Sequence, residues 1–165
     1  MQRARVLIHL IVFAFAATIS AATLDHDAIF DSRVGHDCFR DLLQKNGWGL
    51  AGTFERAAFV IEQSDGSFVC QAWPSMHTYL SESFRGFIPP HTVAIVHTHP
   101  VDFPKPSVQD QNEATRLEMP IYVVTIRGVF KAVPGVDQVS VLANTQSWIR
   151  VTPAATFSGS AVASR

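Results

Sequence analysis

Residues 92–98, Thr-Val-Ala-Ile-Val-His-Thr, constrain the fold of this chain more than any other stretch. The run is apolar and β-branched at both alternating sets of positions, so it suits a strand buried on both faces. Such a strand must be covered from above and below, which calls for a layered α/β domain around one sheet. Pro100, Pro104 and Pro106 follow and forbid regular structure until Ser107. His97 and His99 end the run two residues apart, and on a strand they project to the same side.

The flanking sequence supplies the covering layers. Residues 25–45 carry Ala28, Ile29, Val34, Cys38, Phe39, Leu42 and Leu43 at near-helical spacing, with acids early and Lys45 late. Asn46-Gly47 and then Gly49 read as the helix stop. Residues 54–61 and 67–73 read as strands of a hairpin turned by Ser64-Asp65-Gly66. Residues 74–90 read as a loop or one short helix, and residues 107–118 as a helix ended by Pro120. A second hairpin spans 121–126 and 129–133, and shorter strands are expected at 139–142 and 147–151. Trp48, Trp73 and Trp148 read as core; His26, His36 and His91 read as surface or capping histidines.

The two ends differ from this pattern. Arg3 and Arg5 precede an apolar run over 6–19 that only His9 interrupts, and Ser20-Ala21-Ala22 offers small residues for cleavage. That order marks residues 1–22 as a secretory signal peptide, since a membrane span needs about 20 apolar residues. An uncleaved N-terminal anchor is the alternative. Cleavage would leave a secreted or periplasmic chain without a stable membrane span, with a folded domain over 23–152 and a small, polar, flexible tail over 153–165. With 47% apolar and 16% charged residues the chain is not of a disordered type, and a net charge of −1 without a basic run argues against nucleic acid as a partner. An oxidising compartment permits Cys38 and Cys70, the only cysteines, to bridge across a loop of about 30 residues; two separate buried thiols are the alternative.

Chemistry concentrates between His97 and Asp110. Two imidazoles on one side of a strand can chelate a divalent cation, and a third ligand has to come from elsewhere. Asp110 lies in the first turn of the helix that follows the prolines, where a carboxylate is favoured. Two histidines and a carboxylate leave a fourth tetrahedral position for water, the pattern of a catalytic zinc site. Such a water needs a base outside the ligand set, and Glu55 at the head of the first strand is the favoured candidate. Glu62 is the competitor. A regular strand turns the two to opposite faces, and Glu62 abuts the turn, where it reads as a solvated hairpin end. Ser107-x-x-Asp110 alone is a capping box; after His-x-His-Pro at this spacing a role at the site is favoured, and both roles can coexist.

Together these residues resemble the JAMM (JAB/MPN/Mov34) metallopeptidase signature: an upstream Glu, then His-x-His-Pro, six residues, Ser, two residues and Asp. Glu55, His97, His99, Pro100, Ser107 and Asp110 fill every position. After a given histidine the four downstream identities would coincide by chance on the order of once in 10⁵ to 10⁶, so the metal motif is specific. The resemblance implies a curved mixed sheet flanked by helices, in the cytidine-deaminase-like layout of that family, over roughly residues 25–151.

It also implies roles. His97, His99 and Asp110 would bind Zn2+, Glu55 would hold and deprotonate the water, and Ser107 would hydrogen-bond the oxyanion. Residues 74–90 would lie beside the cleft, with His77, Tyr79 and Phe84 as exposed candidates and no assigned substrate contact. The implied activity is hydrolysis of a peptide or isopeptide bond. Eukaryotic cytoplasmic members act on ubiquitin conjugates, whereas an export signal favours extracytoplasmic amide bonds, in peptidoglycan stems or an exported polypeptide. The alternative is a catalytically silent binding module or toxin-type effector domain, against which the intact ligand set argues.

Overall fold

The computed structural model describes residues 27–50, 54–74, 86–100 and 103–150. In chain order they form α1 (Arg33–Lys45), β1 (Ala57–Glu62), β2 (Phe68–Ala72), β3 (Thr92–Thr98), α2 (Val108–Leu117), β4 (Ile121–Thr125), β5 (Gly128–Ala132) and β6 (Ser140–Ala143). Short 3-10 turns cover Gly47–Gly49 and Gln146–Ile149. The strands build one open mixed sheet in the order β2-β1-β3-β4-β5-β6. All neighbours are antiparallel except β3 and β4, which run parallel with α2 as the crossover between them. The architecture is the expected α/β class. Expectations for residues 1–22, for most of 74–90 and for 153–165 lie outside the described residues.

β3 takes an interior place because both of its faces are apolar. Alternation sends Ala58, Val60, Ala94, Val96, Tyr122 and Val124 to one face, where Phe39, Leu42 and Leu43 of α1 cover them. Phe59, Ile95, Ile121 and Ala132 point to the other face and pack on Ala114 of α2. Among the described residues no helix is long and apolar enough to cross a membrane.

Helix α1 starts later than its apolar spacing implies. Asp27 accepts the Ile29 and Phe30 N–H groups, and Ser32 caps Gly35 N–H at 2.9 Å, so side chains capture the donors that an earlier helix would use. This turn lies so close to the first helical turn that a Cβ on Gly35 would fall 2.0 Å from the Ile29 carbonyl oxygen. Only glycine fits there.

Two expectations are corrected at the far end of the chain. Residues 147–151 were expected as a strand, but Gln146–Ile149 form a 3-10 turn. The turn inserts Trp148 into the α1-side core, where its Nε1 donates to the Thr125 carbonyl. His36, expected at the surface, is 2% exposed, and its Nε2 lies 2.6 Å from the Trp148 carbonyl oxygen. An imidazole on the inner face of an amphipathic helix is retained in the core by that polar contact.

Two further ties close the α1 face. Cys38 and Cys70 form a disulfide, with Cα atoms 6.0 Å apart, joining α1 to the edge strand β2. Asp27 is buried between the Tyr122 hydroxyl, which donates at 2.9 Å, and Lys131 Nζ at 2.7 Å. Burial pushes the Asp27 carboxyl up, but the hydrogen bonds from Lys131, Phe30 and Tyr122 and the Lys131 charge outweigh it and hold it below the usual carboxylate range.

Reduction of the bridge, or Cys38→Ser with Cys70→Ser, is expected to lower the urea unfolding free energy by about 3–4 kcal/mol, the chain-entropy value for a separation of 32 residues. Asp27 stays charged in the folded protein at pH values where the unfolded chain takes up a proton. Its contribution is thus complete above about pH 4 and fades as pH falls below that value. Asp27→Asn should flatten the acid limb of a stability-versus-pH curve; an acid limb as steep as wild type would contradict the assignment.

Candidate metal centre

The site lies where β1 enters and β3 leaves the sheet. Ala57 pairs with His97 across the antiparallel β1–β3 ladder. Two steps further out the same register sets Glu55 opposite His99, and all three side chains take the α2 face. Backbone bonds continue past the ladder, with Thr98 N–H on the Arg56 carbonyl at 2.9 Å and His99 N–H on the Val124 carbonyl at 3.1 Å. Helix α2 brings Asp110 from the other side. Ser107 is its N-cap, and Ser107 and Asp110 form the full capping box.

The side chains converge. Glu55 Oε2 lies 3.7 Å from His97 Nδ1. Asp110 Oδ1 lies 3.1 Å from His97 Nε2, and Oδ2 lies 3.6 Å from His99 Nε2. The imidazole rings stand at 87° with centroids 4.7 Å apart. Glu55, His97 and His99 each offer one ligand atom, all within 4.8 Å of one another, so the buried group could hold a metal ion. Asp110 adjoins this trio, and its Oδ2 already accepts Ser107 N–H at 2.6 Å and Ser107 Oγ–H at 2.7 Å. Glu62 is exposed at the opposite end of β1, so of the two candidate glutamates only Glu55 reaches the histidines. His77, Tyr79 and Phe84 lie outside the described residues.

The electrostatics follow from this packing. Burial pushes His97 toward the neutral form, but the Asp110 and Glu55 carboxylates outweigh it and hold its pKa up at about 9. His99 is pushed down, by burial first and then by the His97 charge. Asp110 is held well below the usual carboxylate range, because His97 and the two Ser107 donors overcome the opposing effect of burial.

The donor set fits a divalent cation on two counts. His99 Nδ1 lies 2.8 Å from the Phe103 carbonyl oxygen, a contact that places the proton on Nδ1 and leaves the Nε2 lone pair facing the cluster. His97 Nε2 is buried without an aligned hydrogen-bond partner, despite the nearness of Asp110 Oδ1. Asp110 thus answers this nitrogen with charge and not with an aligned hydrogen bond, which leaves it available to a bound cation. Sequence reasoning missed the Phe103 carbonyl, and it missed Asn46 and Thr98, which meet behind the site from positions 52 residues apart.

A cation at His97 must displace the proton held there up to about pH 9. Zinc affinity is therefore expected to rise about tenfold per pH unit between pH 6.5 and 8.5. Competition with a chromophoric chelator measures it, and a flat profile would show that His97 is not a ligand.

In comparison with known proteins, the chain matches no family model and no curated protein.

Proposed function

We propose that this protein is a zinc-dependent peptidase working outside the cytoplasm, on a peptide or isopeptide bond or on the amide bonds of peptidoglycan-type stems. The observation that carries the reading is the meeting of Glu55, His97 and His99 at one end of the β1–β3 pair, with Asp110 against both imidazoles. The resemblance of these residues to the JAMM signature supports it, and the Cys38–Cys70 disulfide is in keeping with an oxidising compartment.

His97, His99 and Asp110 would hold the zinc. Bound there, the ion would supply a Lewis acid and a water ionisable near neutral pH. Glu55 would act as the base beside this site, holding a proton at Oε2 and passing it to the leaving amine. The Ser107 hydroxyl, now donated to Asp110, turns to the oxyanion that develops on the substrate carbonyl. The Phe103 carbonyl keeps His99 oriented.

One observation favours a second reading. The cluster also forms a closed set of charges in which His97 is flanked by two carboxylates and Asp110 is occupied as a helix cap. A binding module or toxin-type effector domain without turnover could keep such a set for structure alone.

Elemental analysis of the protein purified without chelators separates the two. The peptidase reading expects about one zinc per chain, lost in His99→Ala and kept in Glu55→Gln, with hydrolysis of peptidoglycan fragments or peptides reduced about 10²- to 10⁴-fold in Glu55→Gln. A wild-type protein that takes up no zinc when the metal is added back would sink it.

A further inference from the structure

A buried polar pair stands directly behind the Glu55–His97–His99 group, on the α1 face of the sheet. Asn46, the C-cap of α1, is 2% exposed, and Thr98, the residue between the two histidines, is fully buried. Asn46 Nδ2 donates to the Phe54 carbonyl at 3.0 Å and to Thr98 Oγ1 at 2.9 Å, while Asn46 Oδ1 accepts Gly49 N–H. Thr98 Oγ1 also accepts Arg56 N–H at 2.9 Å, and Thr98 N–H donates to the Arg56 carbonyl. Both neighbours of Glu55 are thus tied, through one amide and one hydroxyl, to the residue that separates the imidazoles.

The arrangement answers a geometric need. The β1 ladder begins at Ala57 and one backbone bond, from Thr98 N–H to the Arg56 carbonyl, extends it, so the register sets Glu55 level with His99 while Glu55 itself lies outside the ladder. A carboxylate acting beside two imidazoles has to be held within about 0.5 Å of its working position, which a segment beyond the ladder does not achieve unaided. A buried amide and hydroxyl are costly unless every bond is made, and here the bonds go to the main chain on either side of Glu55.

We infer that Asn46 and Thr98 are positioning residues of the metal centre, which fix the Glu55 carboxylate against the histidines by clamping the backbone before and after it. The inference rests on the metal-site reading above and adds to it two residues that touch neither metal nor substrate.

The test compares Thr98→Val, which keeps the shape and removes the hydroxyl, with Thr98→Ser, which keeps the hydroxyl, each alone and combined with Glu55→Gln. Near-ultraviolet circular dichroism checks that each variant is folded, and Asn46→Ala stands in if Thr98→Val is not. The readouts are the visible absorption of the Co2+-substituted protein and the crystallographic position of Glu55. Thr98→Val is expected to shift the Co2+ bands in the sense of Glu55→Gln, to add nothing in the Glu55→Gln background, and to displace the Glu55 carboxylate by about 1 Å or more. Thr98→Ser should keep wild-type bands and geometry. A shift of equal size in both backgrounds would mark Thr98 as merely structural and overturn the proposal, as would wild-type bands in Thr98→Val where Glu55→Gln changes them. A wild-type protein that binds no Co2+ defeats the metal-site reading instead. The Thr98→Val crystal structure then still rules on the clamp, which is refuted if Glu55 has not moved.

Discussion

The antiparallel register of β1 against β3 is the constraint on which the site depends. It pairs Ala57 with His97 and so brings Glu55 level with His99 on the α2 face. Because side chains alternate with period two, a slip of one residue would turn Glu55 to the α1 face and leave the imidazoles with Asp110 alone. Burial enforces the register. Ala57 to Val60 are all buried, Ala58 and Val60 against α1 and Phe59 beside Ile95 on the α2 side, so no shifted pairing keeps both cores filled.

The two faces of the sheet do different work. On the α1 face lie the disulfide, the Asp27–Tyr122–Lys131 cluster, the His36–Trp148 contact and the larger apolar core. Each joins segments distant in the chain and adds to stability. The α2 face has a smaller core, and its outer end carries the group that is costly to hold together. Asn46 and Thr98 connect the two, because they lie on the stable face and bond to the backbone that presents Glu55 on the other.

The charge arrangement accounts for the placement of the site at a strand end. Two carboxylates and two imidazoles packed at 3–4 Å lose most of their hydration, and only His97 is held as a cation at neutral pH. One positive charge set against Glu55 and Asp110 leaves an imbalance that a divalent cation would relieve. The same set at the centre of β3, between two apolar layers, would have no route for an ion. At the strand end toward the proline-rich turn it keeps its side chains 5–13% exposed, buried enough to strengthen the electrostatics and open enough to exchange.

Local physics made much of this legible in the sequence. The continuous apolar run of residues 92–98 placed β3 inside a sheet, His-x-His set two imidazoles on one face, and Ser107-x-x-Asp110 began a helix, because pleat and cap depend on neighbours a few positions away. The same reasoning erred at 147–151 and at His36, whose conformations answer to each other across 112 positions. Sequence alone also left Glu55 and Glu62 as competitors; the β1–β3 pairing and the burial of both faces bring Glu55, and not Glu62, to the histidines. Asn46 reads as a helix stop and Thr98 as the last residue of the buried strand. Their meeting is a tertiary event, since a buried amide finds its partners only once the sheet has chosen which strands lie side by side.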